Sequence, residues 1–276
     1  MTCPSETSSA QTFNFPLNSQ SWQVNGNTAI STSTIKLAGS AVNQRGSIFY
    51  KTAYSLPNLA FSTSFSFKIQ SNSQGYGIAF VLGTSTTSLG TKENLGYGGT
   101  PSLGVLFKTK TTNSIEIVTN EDTTIAEGDT TSKFDNGATW RAWVDYDGVT
   151  LYLRYSQTIN VRPSEPNFVT KLDLSFLEGK SIYFGFSGGS GSAAALHEIL
   201  GPIIFSPNLR PIEQSCPVGS YYSFLNGECT ECPEGSRSSS TGLCCVSCPT
   251  DTISSLDRSQ CIGIYFFILF IYLFVF

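Results

Sequence analysis

Charge is scarce in this chain. Lysine, arginine, aspartate and glutamate make up 13% of its 276 residues, about half of the roughly 25% usual in soluble domains. Helical bundles coat their outer faces with Glu, Lys and Arg, so the shortage argues against them. Only one stretch, Ala193–Ile199, offers even a short amphipathic helix. No basic run or Arg/Lys cluster interleaved with aromatics occurs, and the net charge is −4. Nucleic-acid binding therefore lacks its electrostatic footprint, and charge would not draw the chain to an anionic membrane. Cysteine is absent between Cys3 and Cys216, so disulfides cannot hold that long stretch. There is one histidine, His197, with no serine or cysteine nucleophile motif around it. No glycine-rich phosphate loop precedes a helix. No Asn-x-Ser/Thr sequon occurs either, so the chain offers no site for N-glycans.

What is present is aromatic and small-polar. Twenty Phe, 12 Tyr and 3 Trp supply ample core material, and Ser, Thr, Asn and Gly supply most of the polarity, as in extracellular β-rich proteins. Phe61, Phe65, Phe67 and Ile69 alternate with Ser and Lys, the period-2 pattern of a half-buried strand. Further apolar runs are Ile78–Leu82, Leu103–Phe107, Trp140–Tyr146, Leu151–Tyr155, Ile182–Phe186 and Ile203–Phe205. Turn clusters separate them, and Asp147-Gly148 between two such runs predicts a hairpin. The expected fold class over residues 11–209 is all-β, an antiparallel sandwich.

After a short linker the composition changes. Cys216-Pro217, Cys232-Pro233 and Cys248-Pro249 recur every sixteen residues, and so do Cys229, Cys245 and Cys261. A repeat this short cannot bury a core, so covalent staples must hold it. Cys229-x-x-Cys232 and Cys245-x-x-Cys248 have zinc-site spacing, but the repeat supplies six thiols where zinc needs four ligands. We expect disulfides among all six, with fifteen connectivities open. Cys244 falls outside the repeat and is a candidate partner for Cys3. This module, residues 216–261, resembles ephrin-receptor-like and furin-like repeats, which serve as spacers or interaction stalks. Residues 262–276 are apolar and uncharged. As a helix they would reach ~22 Å, short of the ~30 Å hydrocarbon core. A short span and the signal for a glycolipid anchor both stay open. Met1 leads straight into polar sequence without an apolar leader core. With disulfides implying export, the expected start lies upstream of Met1.

Five segments place the sandwich more sharply. They are Phe61–Phe67, Gly75–Leu82, Leu95–Gly99 with Ser102–Val105, Trp140–Gly148, and Tyr183–Gly191 running on to His197–Leu200. In this order they resemble the L-type (legume) lectin family. The resemblance implies a concanavalin-like jelly-roll sandwich that binds sugar, usually with calcium. It also places His197 in the last strand region, where a structural role is expected.

Departures from the family pattern are equally specific. The family's sugar-binding Asp falls on Tyr76. The strand that supplies two metal-binding carboxylates in the family reads Val105-Leu106-Phe107-Lys108-Thr109, and the family Asn falls on Thr112, with Asn113 one step later. Calcium wants six to eight oxygen ligands, and a lysine in that cage would repel it. We therefore expect no metal at Leu106, Lys108 and Thr112, and no cofactor. Lys108 is a candidate stand-in for the ion, tying down nearby carbonyls; simple degeneration of the site is the alternative. Metal-free sugar binding needs an aromatic face and fixed donors. The candidates are Tyr76 and Tyr97 as platforms, with Gly98, Gly99, Asn113, Ser190 and Gly191 as donors. The expected function is an extracellular, membrane-tethered, non-enzymatic sugar-binding protein whose partners are glycans or glycoproteins. Homo-oligomers stay open. The alternative is an adhesion or coat module with protein partners. A glycosidase built on Glu116, near Glu121 and Asp122, ranks last, because no strand carries paired carboxylates.

Overall fold

The computed structural model describes residues 11–39, 41–56, 59–71, 75–87, 95, 98, 101–120, 123–192, 195–207, 216–223, 228–239, 242 and 244–263. The sandwich strands, numbered in chain order, are β1 (Gln11–Phe13), β2 (Trp22–Gly26), β3 (Ala29–Ile30), β4 (Thr34–Ala38), β5 (Arg45–Tyr50), β6 (Phe61–Ser71), β7 (Gly77–Gly83), β8 (Ser102–Lys108), β9 (Ser114–Thr119), β10 (Thr123–Asp129), β11 (Asn136–Tyr146), β12 (Thr150–Ser156), β13 (Phe168–Lys171), β14 (Tyr183–Gly189) and β15 (Ala195–Ser206). One sheet runs β13-β12-β11-β6-β15-β4-β3, with β1 added beside β15. The other runs β10-β9-β8-β7-β14-β5-β2. All the pairings are antiparallel, so the all-β sandwich read from alternation is the fold observed.

The alternating side chains meet between the sheets. Phe65 of β6 packs against Phe67 of its own strand and against Phe80, Phe107 and Phe186 of the facing sheet, at centroid distances of 4.9–6.3 Å. Burying one such ring contributes roughly 1.5–3 kcal/mol. The Asp147-Gly148 turn forms as predicted. The Asp147 carboxylate accepts from the amides of Val149 and Thr150 at 2.8 and 2.7 Å, and Gly148 takes φ +97°, a conformation glycine adopts without steric cost. The one short helix candidate, Ala193–Ile199, is strand where it is described. Ala195–Ile199 belong to β15, paired with β6, and their inner face (Ala195, His197, Ile199) is buried.

The cysteine-rich module is three hairpins: β16 (Ser220–Ser223) with β17 (Glu228–Glu231), β18 (Ser236–Ser238) with β19 (Cys245–Ser247), and β20 (Thr252–Ser254) with β21 (Cys261–Gly263). Disulfides Cys216–Cys229, Cys232–Cys245 and Cys248–Cys261 each close one repeat unit. The register explains the sixteen-residue period, because every unit is a hairpin stapled to its own leading Cys-Pro. Ile262 and Gly263, read from sequence as the start of the tail, complete the third hairpin opposite Ile253 and Thr252. Cys244 is disulfide-bonded; Cys3, its candidate partner, lies outside the described residues, as does the tail from 264. Among the described residues no helix is long and apolar enough to cross a membrane.

Candidate functional site

Antiparallel register gathers four chain segments at one end of the seven-stranded sheet. Gly77 pairs with Lys108 on one side and Gly189 on the other, and Gly189 pairs with Arg45. The segments 75–77, 109–113, 189–191 and 41–45 therefore converge. Thr109 ties two of them together, its amide donating to the Tyr76 carbonyl at 3.0 Å and its hydroxyl to the Gly75 carbonyl at 2.7 Å. The Tyr76 amide donates to the Gly189 carbonyl at 3.1 Å. The glycines here are steric necessities. Gly77 has φ +125°, and a Cβ on it would lie 2.0 Å from the Phe107 carbonyl oxygen.

Tyr76 is the half-buried centre of this end. A Cβ on Gly191 would fall 2.0 Å from its ring carbon Cε2, so the ring lies against bare backbone. The Lys110 ammonium stands 4.6 Å from the ring centroid, within cation–π range. We expect Gly191→Ala, which also forces alanine into φ +47°, to displace the Tyr76 ring. Near-ultraviolet circular dichroism would report this as a lost tyrosine signal, and an unchanged spectrum would sink the expectation.

The candidate donors are largely engaged in holding loops. Buried Ser190 donates its amide to the Gln44 carbonyl at 3.0 Å, while its hydroxyl donates to the Ala41 carbonyl at 2.8 Å and accepts from the Gln44 amide at 2.9 Å. The Gly191 carbonyl accepts from Asn43, itself in the left-handed region at φ +57°. The Asn113 side-chain oxygen accepts from the Phe134 amide at 2.9 Å, and its amide group reaches Asp135 at 3.4 Å. Gly98 is buried. Tyr97, Gly99, Glu121 and Asp122 lie outside the described residues.

The positions where the resemblance puts metal ligands carry different chemistry. Leu106, 4% exposed, packs with Phe49, Ala79, Val81, Leu95 and Val118 on the outer face of the sheet, with Tyr76 and Tyr183 against them. Lys108 lies not on carbonyls but on carboxylates, 2.8 Å from Glu116 and 3.5 Å from Glu127. Burial works against its charge, but the hydrogen bond and charge of Glu116, and then those of Glu127, outweigh this and raise its pKa above the ordinary lysine value. The other Glu116 oxygen accepts from the Thr124 hydroxyl at 2.6 Å, and the Thr112 hydroxyl donates to Asp129 at 3.2 Å. A buried leucine and a lysine already paired with two carboxylates give a cation no ligand. The residues here do not fit calcium, and among the described residues no other group of His, Cys, Asp and Glu could hold a metal.

Lys110, in the loop after β8, is not among the residues that the sequence reading singles out. The family resemblance implies a structural role for His197 in the last strand region but not its place at this end. His197 is fully buried beneath the Gly75 turn, with Nε2 3.4 Å from where a Gly75 Cβ would be. Among the described residues neither ring nitrogen has a partner at ordinary hydrogen-bond geometry. Burial pushes its pKa down to about 4, opposed less strongly by the nearby Ala195 backbone.

The family model described as "Legume lectin domain" matches residues 10–206. The L-type lectin-domain containing receptor kinase I.7 of Arabidopsis thaliana is 26% identical over 201 residues, 60% of this chain and 30% of the kinase. The receptor kinase S.7 of Oryza sativa subsp. japonica is 30% identical over 167 residues, 51% of this chain and 24% of the kinase. The chain thus spans less than a third of these curated relatives. Among solved structures, the basic winged bean lectin with Tn-antigen superposes with TM-score 0.61 at 20% identity, covering 72% of this chain and 98% of that one. Arcelin-5, a lectin-like defense protein from Phaseolus vulgaris, gives 0.60 at 20% identity, with 72% and 98% covered. At such identities the likeness establishes the fold alone.

Proposed function

Because the chain belongs to the legume lectin domain family, we propose that it is an extracellular sugar-binding head that works without a metal ion, with Tyr76 at the centre of its site. The observation that carries this reading is the Tyr76 ring lying against Gly191 with the Lys110 ammonium over it, beside a leucine and a charge-paired lysine where the resemblance puts metal ligands. An aromatic ring held by backbone gives a pyranose an apolar surface, and an exposed ammonium at its rim offers donors to sugar hydroxyls. In this reading the sugar enters beside Lys110 and exchanges the ammonium's ring contact for hydrogen bonds. The hairpins linked by disulfides support an oxidising compartment. The apolar tail would tether the head to a membrane. The protein is a binder in this reading and not an enzyme: both Glu116 oxygens are already engaged, which leaves the glycosidase without its acid.

The alternative, an adhesion module with a protein partner, draws support from Ser190 and Asn113, whose polar groups are committed to loops. A glycan-array screen of the full chain in calcium, and again in chelator, tests the proposal. The expected result is binding that changes less than about twofold in chelator and falls at least about tenfold in Tyr76→Ala, a loss of ~1.4 kcal/mol. Binding abolished by chelator would overturn the metal-free site. Folded protein with no binding in either condition would favour the adhesion module.

A further inference from the structure

Part of the outer face of the eight-stranded sheet is buried, although no layer of the sandwich covers it. Ser62, Ser64, Trp143, Asp145 and Arg154 point away from the core and are 0% exposed. The first hairpin of the cysteine-rich module lies on part of this face. Tyr222 of β16, 1% exposed, forms a buried cluster with Ala60 and with Tyr152 of β12, and Cys216 packs against them. The Arg162 guanidinium stands over the Tyr222 ring, 5.1 Å from its centroid. Arg162 also donates to Asp145 at 2.5 Å. Its Nε and Nη1 are buried and have no hydrogen-bond partner among the described residues, so the tyrosine ring faces the part of the guanidinium that Asp145 leaves unpaired.

We propose that the cysteine-rich module is not a free spacer but a clamp. It is seated on the sandwich through Tyr222, with Cys216–Cys229 stapling the hairpin that presents the ring, so that head and module move as one body. Tyr222 pairs directly with Cys229 in that hairpin. The clamp also sets a direction. Ala60 adjoins the start of β6, and the Gly75–Gly77 turn follows its far end, eleven residues on, or about 35 Å along an extended strand. The module therefore grips the end of the sandwich opposite Tyr76, and the candidate binding loops face away from it. The same seat closes this part of the sheet to a second copy of the chain.

Hydrogen–deuterium exchange on the full chain tests the clamp. In Tyr222→Ala, amides in residues 157–167, around Arg162, should exchange at least tenfold faster, while Tyr222→Phe, which keeps the ring, should match wild type. Arg162→Gln approaches from the other side and leaves the module's sequence intact; it should accelerate residues 216–223 severalfold. If Tyr222→Ala fails to form its three disulfides, Arg162→Gln decides. Unchanged exchange in 216–223 in Arg162→Gln, or in 157–167 in a correctly bridged Tyr222→Ala, would overturn the proposal. Glycan binding should not change in any of these variants, so this outcome is independent of the binding assay.

Discussion

Asp145→Ala should cost about 3–5 kcal/mol of folding stability, the range for removing one partner of a buried ion pair. Asp145 is 0% exposed, and its Oδ2 faces Arg162 at 2.5 Å and Arg154 at 3.7 Å. Arg154 is 0% exposed and also donates from Nε and Nη2 to the Ser164 carbonyl at 3.3 and 3.2 Å. Burial, followed by the neighbouring Arg162, already lowers the Arg154 pKa despite Asp145. Without the carboxylate, two guanidiniums would face each other in a site that water hardly reaches. The cost comes from stranding charge rather than from the worth of the pair itself. Replacing Asp145, Arg154 and Arg162 together by Leu, Met and Met should therefore be far milder than the single change. Urea unfolding monitored by tryptophan fluorescence measures both. A single-variant loss under about 1 kcal/mol would mean that the cluster is solvated and the argument is wrong.

The second large effect is a loss of stability in acid, traced to His197. Its folded pKa, about 4, lies below the unfolded value near 6.5. The unfolded chain therefore takes up the proton first. The contribution of the neutral ring is complete above pH 6.5, drains away as the pH falls toward 4, and changes no further below that. A gap of this size corresponds to roughly 3 kcal/mol. His197→Leu keeps an apolar side chain of similar size under the Gly75 turn and has no proton to gain. Carboxylates titrate in both proteins, so the difference between them isolates the histidine. Between pH 7 and pH 4 the unfolding free energy from denaturant titration should fall more in wild type by that amount. Parallel pH profiles for the two proteins would refute the assignment. The Gly75–Gly77 turn rests on this ring, so glycan affinity should decline over the same pH interval.

The sandwich was legible because strand alternation is a local property. The Phe61–Ile69 pattern and the Asp147-Gly148 turn each announce themselves within a few residues, and both form as read. The resemblance puts Leu106 where the family has a metal ligand, but its place in an apolar cluster was not legible, because Phe49, Ala79 and Leu95 come from other strands and loops. Lys108 was read as a stand-in for an ion. Its actual partners, Glu116 and Glu127, sit on two neighbouring strands, and only their register brings them within reach. Ala193–Ile199 stood as a short helix candidate because a short apolar run fits a helix as well as a strand, and pairing with β6 decided it.

By itself the sequence determined the all-β class, the family resemblance and a stapled module with a period of sixteen. Each of these is written in residue type and spacing along the chain. Tertiary structure decided which cysteines pair, what Lys108 and Lys110 touch, why His197 is held neutral, and that Tyr222 seats the module on the sandwich. The reason is one of distance along the chain. Arg162 and Tyr222 are sixty residues apart, and no local pattern records that folding will place a cation over that ring.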